Sequence, residues 1–185
     1  MRSRFLPEGR LLHTPENEAA CASRDGLRRA MEEGTVLEGV AQLCDGAHNL
    51  LVSVGPFTGF LPREEAALGI AEGTTREIAI LSRVGKPVCF QITALEESEG
   101  VLRPRLSRRR AQQAALDAML AGLHPGCILP AVVTHLESFG AFVDIGCGVP
   151  SLIGIESISV SRIPHPDQRF RVGQAIFAVV QELDP

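Results

Sequence analysis

The sequence predicts a mainly β chain, in which one small five-stranded barrel is present twice in tandem. A helical segment precedes the first copy and a helix joins the two. Three observations predict this. The chain repeats itself, each copy alternates in the strand manner between turn signals, and the stretches outside the copies carry helix starts and helical periodicity.

The repeat is read from four anchors. VGKPVCFQITALEE, from Val84, parallels VGQAIFAVVQELDP, from Val172: both open Val-Gly, run extended and apolar, and reach Leu followed by an acid. Upstream, GTVLEGVAQL from Gly34 parallels GCILPAVVTH from Gly126, NLLVSVG from Asn49 parallels GAFVDIG from Gly140, and GFLP from Gly59 parallels SLIG from Ser151. The offset is 92 residues at the start and 88 at the end, the drift that changes in loop length produce.

Within the copies, Leu50–Val54 and Ala141–Ile145 alternate sides as strands do. Asp45-Gly46 is a hairpin signal, and glycines inside strands mark the sharp bends of a closed barrel. Five short strands in about 65–75 residues describe an OB-type barrel. The fifth strand of the first copy falls at about Val101–Ser107, after a turn at Glu99-Gly100. The second copy reaches Pro185 where that turn would begin, so the second barrel is expected to lack its last strand. An open edge is a pairing hazard. The expectation is therefore that the chain is part of a longer natural protein, the alternative being that another element covers the edge.

The helices follow from caps and spacing. Thr14-Pro15 supplies an N-cap and a first-turn proline. That helix is expected to break near Asp25-Gly26, resume through Leu27, Ala30 and Met31, and end at Gly34. Ser107 caps a second helix, Arg108–Ala121, whose apolar stripe is Leu116, Met119, Leu120 and Leu123. The expected organisation is a helical extension over 1–33, a first barrel over 34–107, a linker helix over 108–122 and a second barrel over 123–185.

Bulk properties bound the function. Hydrophobic content of 45% and charged content of 22% describe a globular chain. No apolar run approaches the ~18 residues of a membrane span, and the N-terminus lacks a secretory apolar region, so the cytoplasm is the default and no membrane partner is expected. The five cysteines are odd in number and lack CxxC spacing, which suits reduced, mostly buried thiols. The net charge is −4, yet residues 103–122 hold five arginines against one acid, Asp117. Arg108, Arg109 and Arg110 crowd a helix N-terminus, where the dipole disfavours positive charge, which suggests an external partner.

The aromatic residues give the sharper signal. The chain has no Trp or Tyr, and Phe139 and Phe142 stand three apart. Ala141, Val143 and Ile145 form the inward face of their strand, so Phe142 and Asp144 are expected to point outward, and Gly140 permits the bend that brings Phe139 to the same surface. Outward rings on a sheet serve unpaired bases, each stack contributing ~1–3 kcal/mol. The outward carboxylate of Asp144 would accept from base amino groups or a 2′-hydroxyl.

At these residues the chain resembles the S1-type (S-one) RNA-binding repeat, named for the largest protein of the bacterial small ribosomal subunit. The family's run is Gly-x-Val, then Phe-Gly-Ala-Phe-Val-Asp, then Gly-Leu-Val-His-Ile-Ser, then Val-Gly-Gln. Residues 126–184 carry most of it, with the hexapeptide Phe139–Asp144 as the specific part. Residues 34–107 resemble the divergent N-terminal repeats, and the arrangement is similar to S1-like proteins of Gram-positive bacteria. The resemblance implies an OB barrel, single-stranded RNA binding, and a role in translation or RNA handling. It implies an RNA face at Phe139, Phe142 and Asp144, with His135 at a position often basic and Arg162 and His165 in a loop near the RNA. Two departures stand out: Gly154 replaces the family's His and Glu156 its Ser. The basic residues of the family's fifth strand would lie after Pro185. A weak RNA affinity is the expectation. In the first copy His48 and Leu51 take the places of Phe139 and Phe142, and residues 34–102 carry four basic residues against nine acids, which suits a structural or protein-docking role.

Catalytic and metal readings find no support. The five histidines lack metal spacing, and there is no GxSxG elbow, Walker A loop or GxGxxG. Glu64 and Glu65 read as solvated acids after a strand. The reading is a non-catalytic binder of single-stranded RNA that needs no cofactor, with Arg103–Arg110 on phosphates. The alternative is a protein-interaction module docking on the ribosome or an RNA-processing enzyme.

Overall fold

The computed structural model describes residues 5–183. The chain divides into two units, Glu8–Ala114 and Ala115–Pro185, the second including Met1–Pro7. The division falls within a helix that follows the first barrel.

The first unit opens with α1 (Pro15–Cys21) and α2 (Arg24–Glu33). Thr14 caps α1 through Asn17 N–H, with Pro15 in the first turn. The expected break lies earlier than Asp25-Gly26: Ser23 is the cap of α2 and accepts from Gly26 N–H. Glycine is needed at 26 because a Cβ there would meet the Ala20 carbonyl oxygen at 2.5 Å. Gly34, left-handed at φ +63°, ends α2. Cys21, Leu27 and Ala30 belong to the barrel's own core, so these helices are part of the unit rather than a separate extension.

The barrel comprises β1 (Leu37–Cys44), β2 (Leu50–Val54), β3 (Phe57–Leu61), β4 (Pro87–Ser98) and β5 (Val101–Ser107), with a short α3 (Ile78–Leu81) between β3 and β4. It closes in the order β1-β2-β3-β5-β4, the OB arrangement. Leu50, Val52, Leu61, Val88, Phe90 and Leu106 fill it. Helix α4 (Arg108–Gly122) follows directly, with Ser107 accepting from Arg110 N–H. Its buried stripe is Arg108, Ala111, Gln112, Ala115 and Met119, whereas Leu120, expected in the stripe, is exposed.

The second unit holds β6 (Ile128–Glu137), β7 (Gly140–Asp144), β8 (Pro150–Gly154), a single helical turn α5 (Ile155–Ile158) and β9 (Ala175–Val179). The sheet order is β8-β7-β6-β9. Among the described residues this is the order of the first barrel without a counterpart of β5. Its core, around Ala131, Val133 and Val143, is smaller. Val88 and Phe90 are fully buried, while their counterparts Ile176 and Ala178 remain half-buried.

The two copies share register as well as order. Leu37 pairs with Phe90 and Gly39 with Val88; Leu129 pairs with Ala178 and Ala131 with Ile176. The repeated Val-Gly is explained by one turn used twice. Gly85 (φ +80°) donates to the Ala41 carbonyl at 2.7 Å, and Gly173 (φ +86°) donates to the Val133 carbonyl at 2.7 Å. Each copy also has a β-bulge at the same place, between Ala41 and Leu43 and between Val133 and His135.

Candidate nucleic-acid interface

The bulge decides which side chains reach the outer face of the second unit. In an unbroken strand His135 would share the inward face of Val133. The extra residue, Thr134, turns His135 outward, opposite Phe142, and returns Leu136 inward opposite Ala141. Directly opposed residues of antiparallel strands share a face. The outer face therefore carries two rows across three strands: His135, Phe142 and Leu152, and beside them Glu137, Gly140 and Gly154. Close contact forces glycine at 140, where a Cβ would meet the Ile153 carbonyl oxygen at 2.3 Å.

The rings form one cluster. Phe139 meets Phe142 edge-on with centroids 6.0 Å apart, and His135 stacks on Phe142 at 6.3 Å with 30° between planes. Phe139 is 53% exposed and Phe142 half-buried, so the cluster presents apolar faces to solvent. His135 Nε2 lies 2.7 Å from Glu137 Oε1, which holds the imidazole against the ring. Leu152, also exposed, and Glu137 are members of this face that the sequence reading missed; the pairing register is what reveals them.

Asp144 is not where it was expected. It is 5% exposed, and its Oδ1 accepts from Gly146 N–H at 2.8 Å and Gly148 N–H at 2.9 Å. Its carboxylate folds into the β7–β8 turn and ties that turn together, because a short acidic side chain reaches its own backbone two to four residues on.

The arginines are likewise corrected. Arg108 is 5% exposed, with Nε and Nη2 2.7 and 2.9 Å from the two oxygens of Glu8, and Nη1 on the Ala66 carbonyl at 3.2 Å. Burial would raise the Glu8 carboxyl, but the charge and hydrogen bonds of Arg108, then Arg83 and the Cys89 N–H, outweigh it and hold the pKa at about 2. The charge at the helix start thus answers to an internal partner. Arg109 is paired with Glu72. Arg110 is exposed. All three belong to the first unit, whereas the aromatic cluster belongs to the second.

Arg162 is exposed on the loop between α5 and β9. His165 is half-buried; its Nδ1 accepts from Asp167 N–H at 3.3 Å and lies 3.2 Å from the Asp167 carboxylate, so it shapes the following turn. Among the described residues no hydrogen bond, ion pair or ring contact joins Arg162 or His165 to Phe139, Phe142 or His135.

The first unit has a counterpart face of different chemistry. Leu43 and Leu51 replace His135 and Phe142, and Phe60 stands opposite Leu51 with the Arg105 guanidinium 5.8 Å from its ring centroid. Sequence reading passed over Phe60, because the cation that covers it comes from β5. His48 is engaged by Glu77 at 2.7 Å, which Arg63 also holds. Among the described residues no disulfide forms, and Cys21, Cys89 and Cys147 are buried. Among the described residues no cluster of three or more His, Cys, Asp or Glu is placed to hold a metal, and no helix is long and apolar enough to cross a membrane.

The S1 RNA binding domain profile matches residues 123–185. The chain is 28% identical over 164 residues to small ribosomal subunit protein bS1 of Neisseria meningitidis, covering 85% of this chain and 27% of that protein. It is 28% identical over 184 residues to bS1 of Mycobacterium tuberculosis, covering 96% of this chain and 35% of that protein. A solved structure, GSP13 from Bacillus subtilis, is 25% identical with a TM-score of 0.33, covering 44% of this chain and 57% of that one. The chain thus spans about a third or less of the length of the bS1 proteins it matches. The S1-type resemblance read from Phe139–Asp144 is matched by the profile over the second unit, and similarity to bS1 runs through most of the chain.

Proposed function

We propose that this chain binds single-stranded RNA, without catalysis, through the outer face of β6–β8, and that it does so in translation or RNA handling. The observation that carries the reading is the ring cluster of His135, Phe139 and Phe142, gathered on one face of the unit that matches an S1 RNA binding domain. Unpaired bases stack on such rings whatever their sequence. Arg162 is an exposed cation of the same unit that supplies a phosphate contact; Arg108 is committed to Glu8 and does not. The affinity is weak, because Asp144 is withdrawn and the face carries Glu137. The similarity to bS1 supports ribosome association, and the apolar and ion-paired face of the first unit suits docking on a protein better than RNA.

Fluorescence anisotropy of a labelled unstructured RNA tests the reading at low and moderate salt. Affinity should fall as salt rises, since neutralised phosphates release counterions. Phe142→Ala should weaken binding about ten-fold, within the ~1–3 kcal/mol of one stacked base. Salt-independent binding, or binding indifferent to Phe142, overturns it in favour of protein docking.

A further inference from the structure

Beside the ring cluster stands a carboxylate that the binding reading leaves unused. Gly154 lies opposite Gly140 on the outer face, one row from the pair of Phe142 and Leu152. A Cβ built at Gly154 would meet Glu156 Oε1 at 2.1 Å and Oε2 at 2.9 Å. The Glu156 carboxylate therefore fills the space above Gly154, on the same face as the rings. Glycine at 154 is what admits it. The backbone holds it there: Ile155 N–H donates to the Phe139 carbonyl at 2.9 Å, tying the start of α5 to the loop that carries the exposed ring. Glu156 is exposed, and among the described residues no hydrogen bond or ion pair engages its carboxylate, whereas Glu137 is engaged by His135.

Same-face neighbours along a strand stand roughly 7 Å apart, about the reach of a base stacked on the adjacent ring. A carboxylate at that point only accepts hydrogen bonds, through two parallel oxygens. Among the four bases, the Watson–Crick edge of guanine alone presents two adjacent donors, N1–H and the 2-amino group. Adenine and cytosine offer one amino group beside a ring nitrogen acceptor, and uracil offers N3–H between two carbonyls. Resting on the proposed RNA face, we propose that Glu156 is a specificity-determining residue that reads guanine at the position stacked beside Phe142, so that this unit prefers single strands carrying G over those carrying A, C or U.

The test uses the whole chain and labelled uridine 10-mers with a single central G, A, C, U or inosine, measured by anisotropy at low salt. The G strand should bind about ten-fold more tightly than the all-U strand, as a bidentate base contact allows. Inosine, which lacks the 2-amino group, should lose most of that gain. Glu156→Gln puts an amide donor against the guanine donors, and should bring all strands within about two-fold of one another, as a lost bidentate contact requires. Phe142→Ala should weaken every strand, because the ring that holds the base is lost. Equal binding of G and U strands by the unaltered chain, or a G preference that survives Glu156→Gln, overturns the Glu156 assignment alone. No binding to any strand overturns the RNA reading on which it rests.

Discussion

Arg108 grips Glu8 through two hydrogen bonds, 2.7 and 2.9 Å long, across 100 residues of chain. The pair anchors the segment ahead of α1 onto β4, because the same carboxylate accepts from Cys89 N–H at 3.0 Å and pairs with Arg83 at 3.1 Å. An arginine cluster that reads as a phosphate clamp is at this position a structural bolt.

Arg108→Ala should consequently destabilise the first unit severely. Breaking a buried pair from one side strands the other charge, at a cost of about 3–5 kcal/mol. Arg110→Ala, on the exposed side of the same turn, should change stability by no more than about 0.5 kcal/mol. Denaturant unfolding of the two variants decides it, and equal stabilities would refute the assignment.

Glu38 gives the first unit a pH dependence. It is 1% exposed, and its Oε2 accepts from Gly9, Leu11 and Leu12 N–H, while Oε1 is buried with no hydrogen-bond partner among the described residues. Burial, then the charge of Glu8, raise its pKa from 4.5 to about 7 against those three hydrogen bonds. The folded state then holds a proton that the unfolded chain releases near 4.5, so this contribution to stability is full below pH 4.5 and is lost as pH rises to about 7. Glu8, held at about 2, has the opposite sign: its contribution is full above pH 4.5 and is lost as pH falls towards 2. Melting temperatures at pH 5 and pH 7.5 should show the unaltered chain losing stability relative to Glu38→Gln as pH rises. A constant difference between the two would exclude Glu38 as the cause.

Asp144 should prove a folding residue. Asp144→Ala removes the acceptor of the buried Gly146 N–H, at about 1–3 kcal/mol, together with the part-buried bond from Gly148 N–H. Asp144→Asn retains an acceptor oxygen and should cost far less. The two variants should differ in unfolding midpoint, while folded Asp144→Asn should bind RNA as the unaltered chain does.

The repeated turn predicts matched effects in the two units. Gly85→Ala and Gly173→Ala each force a Cβ into the left-handed region, costing about 1–2 kcal/mol. Both turns lie open, with nothing near the added Cβ, so backbone conformation is the whole of the penalty. Unfolding curves should shift by similar amounts, and a neutral substitution at either site would contradict the turn geometry.

Much of this was legible locally. The Val101–Ser107 strand, the Thr14 cap and the Ser107 cap coincide with their sequence signals, because strand alternation and capping are decided within a few residues. The repeat was legible for the same reason, and so was the pairing of Phe139 with Phe142, which needs only a three-residue spacing and a glycine. Alternation misled at Asp144, since it places a Cβ on a face but does not say whether the side chain stays there. It could not place His135 either, because a bulge reverses the alternation without a compositional mark.

The sequence by itself determined two copies of one strand pattern, the helices around them, and the aromatic pair at the surface of the second. These follow from periodicity, caps and repetition, all short-range properties. Only the tertiary structure decided that Arg108 belongs to Glu8, that Asp144 belongs to its own turn, and that Glu156 stands over Gly154 beside the rings. Charges and carboxylates act through space, and which partner each meets is set by how the strands register and where the chain returns.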